Sequence, residues 1–205
     1  MAAKLKVQAP MLSFYSVGGA TLKDIWKKIL KVGPVDPNDR KHVAFLTTTE
    51  LSFDPDKGRY EGDGRITVHR ATGWFEATAK VKALELSLLT YIDGPKAQLN
   101  KLSKPAQKEW KRFYDRAIKH EGEHYTKAKA EAEKFLKEIN ALRGSGLGET
   151  QEDAANAAID DLKTIMYDTY IGGAMDDRLN RIHKDFDKSS KHGEKTGAKL
   201  DTAIA

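Results

Sequence analysis

The sequence contains no cysteine. That absence excludes a disulfide scaffold, a thiolate zinc site and a cysteine nucleophile together, so any metal site has to be built from His, Asp and Glu. Long apolar runs are missing too. Met1 to Pro10 lacks the stretch an uncleaved signal peptide carries, and no segment approaches the roughly 20 apolar residues of a membrane span, so no span is expected. A block of one charge is also absent, because the 35 Lys and Arg are interspersed with 30 Asp and Glu. The formal net charge of +5 therefore reads as solvated surface, and no nucleic-acid partner is expected. Lys27, Lys28 and Lys31 fit that reading, because they lie at amphipathic spacing beside Leu22, Ile25, Trp26 and Ile29. Asp54 to Gly58 lacks the spacing and closing Glu of a calcium loop. No internal repeat is present.

What is there suffices for a core: 205 residues of which 40% are hydrophobic predict a single domain over residues 1–205. Leu12 to Val17 reads as a strand. Gly18-Gly19 then turns the chain into a short helix that Thr21 caps and that ends before Gly33-Pro34. Val43 to Phe53, Arg65 to His69 and Thr78 to Tyr91 carry strand signals, which predicts a mostly antiparallel sheet within a sheet-rich region, 11–95. From Ser103 the periodicity becomes helical. Trp110, Phe113, Tyr114, Ala117 and Ile118 recur on one face, and Phe135, Leu136, Ile139 and Leu142 extend the pattern. One long helix is expected from about Pro105 to about Leu142, and Gly144-Ser145-Gly146 with Gly148 breaks it. A second helical pattern runs from about Thr150 towards Phe186 with an interruption at Gly172-Gly173, so the helical region is 103–187 and residues 188–205 are loop and tail. The fold class is α+β, sheet first and helices second.

Chemistry concentrates in His120-Glu121-Gly122-Glu123-His124 on the first long helix. Residues four apart on a helix differ by about 40° around the axis and about 6 Å along it, so His120 and His124 project side by side and can share one metal ion. Their imidazoles suit Zn²⁺. Glu121 lies between them on the wheel, where its carboxylate reaches a water on the metal and acts as general base. The opposing reading is a pair of histidines on a charged, exposed helix face. Placement within a long helix that follows a sheet favours the metal.

Two histidines leave a catalytic zinc one protein ligand short. Glu131 lies about 10 Å further along the same axis than His124, out of reach of the same ion. If the two long helices pair antiparallel about Ser145, Asp168 comes opposite His120 and His124. His192, on the loop Lys191-His192-Gly193, is the other candidate. His42 and His69 read as surface or strand residues.

Several segments taken in order resemble the bacterial predicted secreted zinc-dependent proteases, a family long catalogued as a domain of unknown function. They are Phe14 to Leu22, then Trp110 and Tyr114 leading into His120 to His124, then Phe186 to Gly193 with Gly197-Ala198. The likeness spans nearly the whole chain, from about Ser13 to Ala198. It implies a zincin-like fold, a peptide or protein substrate, residence in the periplasm or outside the cell, and His192 as third zinc ligand; helix pairing leaves Asp168 as the alternative. Phe186 stands where the family pattern has Tyr, Ser190 where it has Thr, and Thr49 to Phe53 lacks the family's tryptophans. The residues alone are also compatible with the cytoplasm. Together they predict a zinc metallopeptidase with His120, His124 and His192 as ligands and Glu121 as base; the alternative is a non-catalytic, metal-stabilised binding protein.

Overall fold

Helical spacing from Ser103 onward yields the longest helix of the computed structural model, α2 (Lys104–Ala141). That structure describes residues 2–62, 66–171 and 173–204. The buried positions of α2 recur every three or four residues: Ala106, Trp110, Phe113, Ala117, His120, His124, Ala128. Two histidines therefore continue an apolar stripe on the inward face. Polar groups in such a stripe are the informative exception, because each has to be partnered.

By their internal contacts the residues group into two compact units, each assembled from separate stretches of chain. One comprises Met1–Gln8, Glu50–Leu88 and Lys129–Arg178; the other comprises Ala9–Thr49, Leu89–Ala128 and Leu179–Ala205.

In the first unit, β6 (Phe75–Ala83) pairs antiparallel with β4 (Arg59–Gly62), β5 (Thr67–Val68) and β8 (Gly144–Gly148). Helix α3 (Gln151–Tyr170), capped by Thr150, buries Ala154, Ala158, Leu162, Met166 and Tyr170 at a spacing of four. The glycines of β8 make its close approach possible. A Cβ on Gly144 would lie 2.1 Å from the Ala158 carbonyl oxygen, and one on Gly146 would lie 2.3 Å from the Ala158 nitrogen. Beyond breaking the helix, as expected from the sequence, these glycines form a strand on which a helix backbone lies directly. Strand β1 (Lys4–Val7) pairs parallel with the start of β7 (Glu85–Ala97).

In the second unit, β2 (Met11–Val17) also runs parallel to β7, with Met11 opposite Tyr91 and Val17 opposite Ala97. The expected mostly antiparallel sheet is thus corrected: antiparallel pairing holds around β6, whereas β1 and β2 run parallel to β7. Strand β3 (Leu46–Ser52) also pairs with β7. Helix α1 (Leu22–Val32) starts where Thr21 accepts a hydrogen bond from the Asp24 amide, and Leu22, Ile25 and Ile29 form its fully buried face. They pack in one cluster with Phe45, Trp110 and Phe113 of the same unit. Burial of a side chain such as Phe113 contributes roughly 1.5–3 kcal/mol.

The second helical pattern is two helices, α3 and α4 (Ala174–Ser190). Of the expected break, Gly173 has a φ of +110° and Gly172 lies outside the described residues, as does Arg65, the start of an expected strand. Helix α4 continues past Phe186 into the segment read as tail, and a short 3₁₀ turn follows at Glu194–Thr196. The mixed α and β architecture agrees with an α+β class. No helix among the described residues is long and apolar enough to cross a membrane.

Candidate metal centre

Four pieces of the second unit line one cavity with His120, Glu121 and His124 of α2: β3 through Thr47 and Thr49, the loop before it through Asp36, the last turns of α4 through His183 and Asp187, and the turn beyond through His192. Asp187 Oδ1 lies 3.2 Å from His120 Nε2 and 3.0 Å from His124 Nε2. These three atoms belong to one group that could hold a metal ion. The spacing suits zinc, since tetrahedral ligands at 2.0–2.1 Å stand about 3.3 Å from one another. Two imidazoles and a carboxylate also supply the donor chemistry zinc takes.

Each ring is fixed by its surroundings. Phe186 stacks on His120 at 4.8 Å between centroids and meets His124 edge-on at the same distance. Gly193 also lies against His120; its φ of +80° suits glycine, and a Cβ there would lie 3.2 Å from His120 Cγ. His124 Nδ1 is 3.0 Å from His183 Nδ1, and His183 Nε2 is 2.7 Å from Thr49 Oγ1. Burial and the neighbouring His124 push His183 down to about 4, so its ring is neutral near pH 7. With the proton on His124 Nδ1, that nitrogen donates to His183 Nδ1 and His183 Nε2–H donates to Thr49. That arrangement would leave the His124 Nε2 lone pair to a metal in place of the proton that otherwise bonds Asp187, the tautomer that a metal requires. His120 Nδ1 is buried without a partner among the described residues.

Glu121 lies beside the group, 6% exposed, and accepts a 2.7 Å hydrogen bond from the Thr47 hydroxyl on Oε2. Burial raises its carboxyl above the usual value, against the lowering effect of His124 and the Thr47 bond. Burial would raise Asp187 as well, but without a metal, when the Nε2 atoms of His120 and His124 carry protons, the hydrogen bonds they donate outweigh it and hold that carboxyl well below the ordinary range.

His192 Nδ1 lies 3.9 Å from the same Asp187 oxygen, on a side chain that is 57% exposed. It groups with Asp187 and Asp36 rather than with His120 and His124. Asp168 is an exposed residue of α3 in the first unit and belongs to neither group. Of the histidines set aside, His42 Nδ1 bonds the Gly33 carbonyl oxygen at 2.6 Å, and His69 Nδ1 lies 3.2 Å from Thr72 Oγ1. Asp187 lies within the segment Phe186 to Gly193 that carries the family resemblance, and neither it nor His183 is among the ligands expected from the sequence. Their i, i+4 spacing on a helix repeats that of His120 and His124, which was the available signal.

The site opens into a cavity of about 830 Å³ lined by His120, Glu121, His124 and Asp187, with Trp26, Phe45 and Phe113 among its apolar residues. A family model described as a bacterial protein of unknown function (DUF922) matches residues 12–193. No curated protein and no solved structure matches the chain.

Proposed function

The chain belongs to the bacterial DUF922 family, and we propose that it is a zinc-dependent metallopeptidase of zincin-like arrangement. The observation that carries the reading is the convergence of His120 Nε2, His124 Nε2 and Asp187 Oδ1 on one point, with the Glu121 carboxylate beside it in an open cavity. These three residues would hold the ion. When bound, zinc supplies Lewis acidity: it lowers the pKa of water towards about 7 and polarises a carbonyl.

The protein's own groups do the rest. Glu121 takes a proton from the attacking water and returns it to the departing amine; Thr47 holds that carboxylate in place through Oε2. His183 and Thr49 orient His124, while Phe186 and Gly193 orient His120. Phe186 carries no hydroxyl, so it walls the site without donating to an oxyanion. The cavity is large enough to take several side chains of a peptide or protein substrate. The resemblance to secreted bacterial proteases supports action in the periplasm or outside the cell.

The test is hydrolysis of a peptide library by the zinc-loaded protein beside Glu121→Gln. The peptidase reading expects cleavage by wild type and its loss in a variant that still binds zinc. Zinc binding that stabilises the fold while no peptide is cut would instead favour a metal-stabilised binding protein.

A further inference from the structure

Asp36 is 3% exposed, and its carboxylate accepts one hydrogen bond, 2.7 Å from the Asn38 amide. No lysine or arginine pairs with it among the described residues. It nonetheless lies with Asp187 and His192 in a group whose ligand atoms are all within 4.8 Å of one another. Two carboxylates at that separation repel, and burial removes most of the water that would screen them. A single imidazole, more than half exposed, is the only counterweight within the group.

The turn after α4 brings that imidazole into place. The His192 amide bonds the Asp187 carbonyl oxygen at 2.9 Å, and Lys191 and His192 have φ of 53° and 50°. The chain thereby folds back over Asp187, and His192 Nδ1 faces the oxygen that His120 and His124 also face.

We propose that Asp36, Asp187 and His192 form a second divalent-cation position, with Asp187 as a carboxylate shared between it and the zinc held by His120 and His124. The inference rests on the reading of Asp187 as a zinc ligand. A carboxylate can bridge two ions about 3.5–4 Å apart, as in two-metal hydrolytic sites. Two carboxylates and one imidazole are mixed oxygen and nitrogen donors suited to zinc or manganese. The second position is the weaker, because its imidazole is exposed and one carboxylate is shared. Its cation offsets the Asp36–Asp187 repulsion at the cavity wall.

Calorimetric titration of the metal-free full chain with zinc alone tests this, on wild type, His192→Ala and Asp36→Asn. Wild type is expected to take two equivalents, the second at least about tenfold weaker, and each variant to lose the second while keeping the first. Exposed His192 keeps the test valid if Asp36→Asn fails to fold. One equivalent in wild type, or two in His192→Ala, overturns the second position and leaves the zinc reading standing. Weakening of the tighter event by His192→Ala also overturns it, by assigning His192 to the first ion. A wild type that binds none removes the zinc reading itself.

Discussion

His124 and His183 face each other through their Nδ1 atoms at 3.0 Å, joining the inward face of α2 to α4. The contact fixes which nitrogen of His124 is free. His183→Ala is therefore expected to weaken zinc binding about 10–100-fold, measured by competition with a chromophoric chelator. Unchanged affinity would mean that the pair is packing alone.

Thr47 acts on the base rather than on the ion. Thr47→Val keeps the side chain's shape but removes the 2.7 Å hydrogen bond to Glu121. The expected result is a fall in kcat of roughly tenfold with zinc affinity unchanged, corresponding to about 1.4 kcal/mol in the barrier. A change in zinc affinity with normal turnover would contradict it.

Gly193 holds a left-handed backbone against the His120 ring. In Gly193→Ala the new Cβ would lie 3.2 Å from His120 Cγ and 2.9 Å from Ala198 Cβ, on top of the cost of positive φ. A loss of about 1–3 kcal/mol is expected, read by thermal or urea unfolding, together with weaker zinc binding.

In the first unit Arg178 is shared by two carboxylates, with its Nε 3.0 Å from Glu131 Oε1 and Nη1 2.8 Å from Glu138 Oε2. Its guanidinium also lies 4.0 Å over the Phe135 ring. Burial would raise the Glu131 carboxyl, but Lys134 and Arg178 outweigh it and leave it below its ordinary 4.5. A depressed folded value means stability that is present above the unfolded pKa and lost as pH falls through the folded one. Wild type should therefore lose stability below about pH 4.5, and Glu131→Gln should lose less over the same range while starting about 2 kcal/mol lower at pH 7, the scale of a hydrogen bond to a charged group. Parallel pH curves for the two proteins would count against the assignment.

What could be read from the sequence was local. The apolar spacing from Trp110 to Ile139 marks α2 within a residue or so of its ends, and Thr21 and Gly33 bound α1 by capping chemistry that needs no distant partner. Strand direction is different in kind. Alternation says which side chains face inward, but not that Met11 lies opposite Tyr91, 80 residues on, in parallel. Gly144 to Gly148 reads as a breaker because glycine favours no strand; its reason is the α3 backbone against it, which is a tertiary fact. The same holds at the site: His120 and His124 announce themselves by spacing, whereas Asp187, 67 residues from His120, meets them only through the packing of α4.

The most direct test of the account is zinc content by elemental analysis after purification without chelator, on wild type beside His124→Ala and Asp187→Ala. The account predicts zinc in wild type, at about one tightly held ion or more per chain, and its loss in both variants. Zinc-free wild type even when supplied with the metal, or Asp187→Ala that keeps zinc with wild-type affinity, would contradict it.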